Sequence, residues 1–161
     1  MNLNNFTIKS QEAVQRAQQL ALQYGHQAFE PAHLMQGVLE TDENVTPYVI
    51  KKLGLNFSRI KEATIRLLKN YPSVTGGQQY ISRNATEMLQ KAQSFLYEFD
   101  DEYVAIEHLL LGIINIKDPV AQLLKDNGVT EKELIAAIKE LRKGSTVTSS
   151  SAENAYNALK K

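Results

Sequence analysis

The residues of this 161-residue chain whose types invite chemistry are three histidines, a crowd of carboxylates and one glycine pair. A histidine zinc site needs its ligands at helical or short-loop spacing, such as His-x-x-x-His, and His26, His33 and His108 do not supply it. No cysteine is present, which excludes disulfides, thiolate catalysis and cysteine-bound zinc. Asp100, Asp101, Glu102 and Glu107 crowd one turn. Paired carboxylates can work as general acid and base, but no nucleophile or metal-ligand set accompanies these. A solvated turn with an acid favoured at a helix N-terminus accounts for the same residues, and a binding role stays open beside it. Gly76-Gly77 lacks the Gly-Lys-Ser/Thr that completes a phosphate-binding loop. The expectation is a chain with no catalytic residue, no metal site and no bound cofactor of its own.

The elements that must position these residues are helices. Ala13, Val14, Ala17, Leu20, Ala21 and Tyr24 recur at steps of three and four, with Thr7 to cap the start and Gly25 to close the end. Pro31 opens a short second helix, Thr46-Pro47 a third, and Asn56 caps a fourth. After a connector at 71–79 the programme runs again. Ser82 caps a long helix, 106–114 forms a short apolar one, Asp118-Pro119 opens the next, and Thr130-x-x-Glu133 is a capping box for the last. The duplication shows in register: His33 and His108, Gly37 and Gly112, and Ala17 and Ala92 each lie 75 residues apart. His33 and His108 therefore read as repeated scaffold, each with a hydrogen bond across a helix start, whereas His26 reads as a solvated turn residue. The fold class expected is all-α, with two tandem four-helix repeats (6–70 and 80–143) packed about a pseudo-twofold axis. Neither repeat is large enough to be stable alone.

Phe95, Leu96, Tyr97 and Phe99 fall too close in sequence to share one helix face, so at least one must point elsewhere, and an exposed apolar groove is the expected use. The Gly/Ser/Thr-rich run from Gly144 to Ser151 has linker composition, followed by a weakly helical stretch to Lys161.

Several of these segments carry a family resemblance. Phe6-Thr7 followed by Ala13, Ala17 and Ala21, the run Glu30-Pro31-Ala32-His33-Leu34-Met35, and the repeat from Tyr103 through Glu107-His108-Leu109 to Leu111 resemble the N-terminal domain of Clp-type AAA+ ATPases. The tail from Leu141-Arg142-Lys143-Gly144 to Lys161 resembles the disaggregase branch of that family. The resemblance implies a domain at 1–143 and a flexible linker at 144–161 leading to an ATPase module that would hold ATP and Mg. It implies recruitment of unfolded or aggregated polypeptides for a homohexameric disaggregase, with this piece by itself a monomer. Co-chaperones or adaptors are further partners, and the alternative is an adaptor-docking domain of the unfoldase branch. Thr7, Asp101 and Glu107 match the family's substrate contacts, and Leu89 and Phe95 match an apolar groove beside them. A stand-alone hydrolase using Asp101, Glu107 and His108 is a third reading, without a nucleophile to support it.

Charge bounds the partners further. Lysines and arginines total 18, as do aspartates and glutamates, so no global field draws the chain to nucleic acid or to an anionic membrane. No apolar run approaches the roughly 18 residues of a membrane span. The composition is that of a soluble cytoplasmic protein.

Overall fold

The computed structural model describes residues 1–156. Among them eight α-helices run in the expected order: α1 (Ile8–Gln23), α2 (Pro31–Thr41), α3 (Val45–Lys52) and α4 (Phe57–Asn70), then α5 (Arg83–Phe99), α6 (Ile106–Ile114), α7 (Pro119–Asp126) and α8 (Glu131–Arg142). The capping signals act as read. Thr7, Asn56, Ser82 and Thr130 each accept a backbone N–H of the first turn, and Asp118 caps α7. The start of α3 differs. It begins at Val45 rather than at Pro47, because the Asp42 carboxylate takes the N–H groups of both Val45 and Thr46 together with the Thr46 hydroxyl. Thr46 is thus a buried donor inside the first turn instead of its cap.

Two very short strands, β1 (Ala28–Phe29) and β2 (Tyr80–Ile81), pair in parallel, with Phe29 opposite Ile81. A second, single bridge joins Phe6 to Val104. Phe6 and Ile81 lie 75 residues apart, as do Phe29 and Val104, so each repeat's entry segment pairs with the other repeat's second segment. The flanking bonds repeat too: Thr7 N–H donates to Val104 C=O, and Ser82 N–H to Phe29 C=O, both at 3.0 Å. Reciprocal pairing of this kind is what a twofold relation between the copies requires.

The main hydrophobic core runs through both repeats, from Val14, Leu34 and Ile60 to Met88, Leu109 and Ile138. Two glycines let the helices close on it. A Cβ at Gly37 would lie 2.5 Å from the Ala13 carbonyl, and one at Gly112 would lie 2.5 Å from the Met88 carbonyl. Only a residue without a side chain admits α1 to α2, and α5 to α6, at that distance.

The linker expected at 144–161 is different as far as it is described. Val147, Ala152, Glu153 and Tyr156 are buried, and Ala152–Ala155 form a 3₁₀ turn. Residues 144–156 fold back over the second repeat because they carry apolar side chains and acceptors that its surface satisfies. Asn157–Lys161, where the rest of the expected weakly helical stretch falls, lie outside the described residues.

Candidate functional site

The sequence leaves the acidic turn open between a solvated turn and a binding surface beside Thr7. The turn is built instead around a buried charge network. Asp100 ends α5 in the left-handed region (φ 58°), which swings Asp101 back over the helix end. His108 is fully buried at the third position of α6, and its Nδ1 accepts the Ala105 N–H at 2.8 Å. That leaves Nε2 to carry the hydrogen and to donate to Asp101 Oδ2 at 2.7 Å, so the contact is a hydrogen bond from a neutral imidazole.

Arg142, the last residue of α8, reaches into the same turn. Its Nε donates to Glu107 Oε2 at 2.9 Å and its Nη1 to Asp101 Oδ1 at 3.2 Å, while the guanidinium lies 5.0 Å from the centre of the Phe99 ring. The side chains of Asp101 and Glu107 are wholly buried. Burial alone would raise Asp101, but hydrogen bonds from His108, the Val147 N–H and Arg142, with the Arg142 charge, hold its carboxyl below the usual range. Burial would lower Arg142, and the Glu107 and Asp101 carboxylates overcome it.

Each of the three polar residues matched to family substrate contacts is engaged by the folded-back segment. Thr7 Oγ1 donates to Glu153 Oε2 at 2.6 Å, Asp101 Oδ1 accepts the Val147 N–H at 2.8 Å, and Glu107 Oε2 accepts the Tyr156 hydroxyl at 2.7 Å. Glu153 Oε2 also accepts the Ile106 N–H at the start of α6, at 3.1 Å. Burial, reinforced by the nearby Glu107 charge, pushes Glu153 up to about 7 against the hydrogen bonds that favour its anion. Thr7, Asp101 and Glu107 therefore offer no surface to a second molecule while residues 144–156 are in place. Composition hides this, because a Gly/Ser/Thr run reads as linker whether or not Val147 and Tyr156 find pockets.

The first repeat carries a neutral version of the same turn. His33 Nδ1 accepts the Glu30 N–H at 2.8 Å, as His108 does with Ala105, which is the helix-start bond expected of both histidines. Its Nε2 meets His26 Nδ1 at 2.8 Å. His26 is buried, stacked on Tyr24 with ring centres 5.4 Å apart, and is not a solvated turn residue. Burial and the neighbouring imidazole hold His33 down at about 4, and burial lowers His26. Among the described residues no group of three or more acidic or histidine side chains is placed to hold a metal.

The apolar residues separate. Phe95 is buried in the core and is not groove surface. Tyr97, 92% exposed, is the member of the aromatic run that points elsewhere. Leu89 is half-buried and lines an open groove of about 290 Å³ with Met1, Phe6, Ile81, Gln90 and Gln93. Met1 and Ile81 are 55% and 37% exposed there. The rim is amide rather than acidic, and Gln93 forms a reciprocal pair with the Asn5 side chain at 2.9 and 3.1 Å.

Comparison with known proteins places this arrangement. Residues 5–127 match the family described as the Clp repeat (R) N-terminal domain, and the chain belongs to that family. Over its whole length it is 49% identical to the chaperone protein ClpB of Bacteroides thetaiotaomicron, and it spans 19% of that protein's length. Its fold is that of the Hsp104 N-terminal domain from Candida albicans, with a TM-score of 0.82 at 22% identity over 93% of this chain and 99% of the other. It is also similar to a ClpV N-domain solved in complex with a VipB peptide, with a TM-score of 0.72 at 17% identity over 90% of this chain and 94% of that one. No described helix is long and apolar enough to cross a membrane.

Proposed function

We propose that this domain recruits polypeptide segments with exposed apolar side chains for an ATP-driven disaggregase of which it forms the N-terminal part. The observation that carries the reading is the open groove at Met1, Phe6, Ile81 and Leu89, where Met1 and Ile81 are exposed apolar side chains beside the half-buried Leu89. Unfolded chains differ from folded ones by exposing apolar side chains, so such a groove selects them without reading a sequence. Amide groups on the rim can bond an extended backbone of any sequence. The similarity to ClpB and the ClpV N-domain solved with a peptide support the same reading. ATP and Mg would bind in modules beyond this chain, a ring of copies would add avidity to weak individual contacts, and the cytoplasm is the expected compartment.

The test is an NMR titration with α-casein, an unfolded polypeptide. Shifts should centre on Ile81 and Leu89, and Leu89→Glu should weaken binding about tenfold or more while leaving the unfolding midpoint nearly unchanged. Undiminished binding by that variant would reject the groove. Adaptor docking would use a broader face. Leu22 and Tyr97, 75 residues apart and 63% and 92% exposed, offer one on the outer ends of α1 and α5. Shifts confined to those two residues would favour that reading instead.

A further inference from the structure

We propose that residues 144–156 are a removable strap, an occupant in cis of a peptide-binding cleft formed by Thr7, the start of α6, Asp101 and Glu107. The inference rests on the recruitment reading: the cleft residues are those the family resemblance already implies as substrate contacts, and what is added is their covering and its regulation. The strap meets the cleft as a bound peptide would. It presents one carboxylate (Glu153) to a hydroxyl and a helix N–H, one backbone N–H (Val147) to a carboxylate, and one phenol (Tyr156) to another carboxylate. The Ser150 carbonyl accepts the Ile8 N–H at 2.8 Å, and the Val147 carbonyl accepts the Glu102 N–H at 2.8 Å. Val147 and Ala152 fill a small apolar cluster with Ala105 and Tyr103, apart from the main core.

The first repeat shows what the strap supplies. Pro31 at the start of α2 has no N–H to satisfy, and the residue before it, Glu30, carries its own carboxylate within reach of the Ser82 hydroxyl. At the equivalent places the second repeat has Ile106, with a free N–H, and Ala105, with no carboxylate. Glu153 fills both deficits from outside the repeat, bonding Ile106 and Thr7, the counterpart of Ser82. The second repeat is thus built with an open carboxylate socket where the first is closed.

The seat is also imperfect. Glu153 Oε1 and Glu107 Oε1 are buried without a hydrogen-bond partner, which weakens the closed form. The network beneath does not need the strap, since Arg142, Asp101, Glu107 and His108 bond one another directly. Lifting the strap leaves an intact cleft with a free hydroxyl, a free helix N–H and two carboxylates. Its complement is a polypeptide segment bearing an acid followed three residues later by a tyrosine or other phenol-like group, as Glu153 and Tyr156 are spaced.

Amide exchange on the whole chain tests removability. The Ile8, Glu102, Ile106 and Val147 amides should exchange as one group, at least tenfold faster than core amides of α1 such as Ala17. Exchange of that group only together with the core would overturn the proposal. The second arm is the Glu153→Ala/Tyr156→Ala variant titrated with α-casein. Apparent affinity should rise about tenfold as the closed population is removed, and the Thr7 and Ile106 amides should shift in the variant but not in the parent chain. No shift at those amides in the opened variant overturns the cleft, while Ile81 and Leu89 report on the groove separately. If the double variant loses its fold, Tyr156→Phe, which removes only the hydroxyl that donates to Glu107, carries the same expectation with a smaller gain, and a null result there with normal core protection also overturns it.

Discussion

Asp101 occupies in the second repeat the place that His26 occupies in the first. The two lie 75 residues apart, each follows a left-handed residue that ends a long helix (Gly25 at φ 71° and Asp100 at φ 58°), and each bonds the Nε2 of its repeat's helix-start histidine, His33 or His108. One substitution thus turns a neutral pair into a charged one. The charge calls for a counter-ion, and Arg142 supplies it from the end of α8.

The two turns should differ in what they contribute. Asp101→Ala leaves the Arg142 guanidinium buried beside a single carboxylate and should destabilise the domain by about 3–5 kcal/mol. His26→Ala removes a neutral partner and should cost roughly 1–3 kcal/mol. Urea unfolding of the three proteins measures both. Equal losses would mean that the charged network contributes no more than its neutral counterpart. An exposed acidic turn would instead have lost almost nothing on Asp101→Ala.

Gly37→Ala and Gly112→Ala make a matched pair. Alanine ordinarily favours a helix interior over glycine by about 1 kcal/mol. Here the added methyl would sit 2.5 Å from a backbone carbonyl of the crossing helix in both repeats. Backbone cannot rotate away as a side chain can, so each substitution should destabilise by roughly 1–3 kcal/mol, a cost typical of overpacking. Calorimetry should show similar drops in Tm for the two, because the crossings are equivalent. A gain in either would mean that its helices separate freely.

Much of this frame is legible because it rests on local rules. Thr7 and Ser82 announce caps, and the shared offset of 75, which Gly37 and Gly112 carry with the histidines, exposes the duplication, although the close crossings at those glycines show only in the structure. His26 is misread alone because a residue after a helix-ending glycine is usually solvated; its counterpart Asp101 shows that the place is a buried partner site. Thr7, Asp101 and Glu107 each bond the segment 144–156, and their exposure depends on Glu153, Val147 and Tyr156. The Thr7 and Glu107 contacts span 146 and 49 residues of sequence and follow no period. The groove at Leu89 depends on Met1 and Ile81, which belong to no helix and so carry no amphipathic signal.

The two caps separate capping from strap-holding. Ser82→Ala removes the helix-start acceptor of Ala85 N–H and a hydroxyl within reach of the Glu30 carboxylate, which is partly exposed and can be solvated instead, so it should cost about 1 kcal/mol. Thr7→Ala removes the same function at Ser10 N–H and also the hydroxyl that donates to Glu153. It should cost more than Ser82→Ala, roughly 2–4 kcal/mol, since a buried carboxylate loses a donor. It should also speed exchange of the Ile8 and Glu102 amides, which Ser82→Ala should leave unchanged. If the two variants behave alike in exchange, Glu153 is not held through Thr7.

The strap should also respond to pH, and the direction follows from Glu153. Its carboxyl faces the Thr7 hydroxyl, the Ile106 N–H and Glu107 on α6; Glu107 in turn bonds Arg142 from α8 and Tyr156 of the strap, and Arg142 bonds Asp101 from the turn after α5. Docked, it is pushed up to about 7 from an ordinary 4.5, burial being the largest cause and the Glu107 charge adding to it. The docked form therefore binds the proton more tightly than the released form. Its contribution to docking is fully present below pH 4.5 and is lost as pH rises through about 7. Asp101 acts with the opposite sign, since its carboxyl is held below the usual 3.8. Its contribution is present above that value and disappears only as pH falls beneath it. Between about pH 5 and 7 the strap thus follows Glu153 alone of these two and loosens as pH rises. Exchange of the Ile8 and Glu102 amides, corrected for intrinsic base catalysis, should accelerate over that window relative to Ala17. In Glu153→Gln, which has no proton to lose there, the same amides should show no such trend. A strap that tightens from pH 5 to 7 would refute the assignment, because an ionising Glu153 in this cleft can only weaken its own docking.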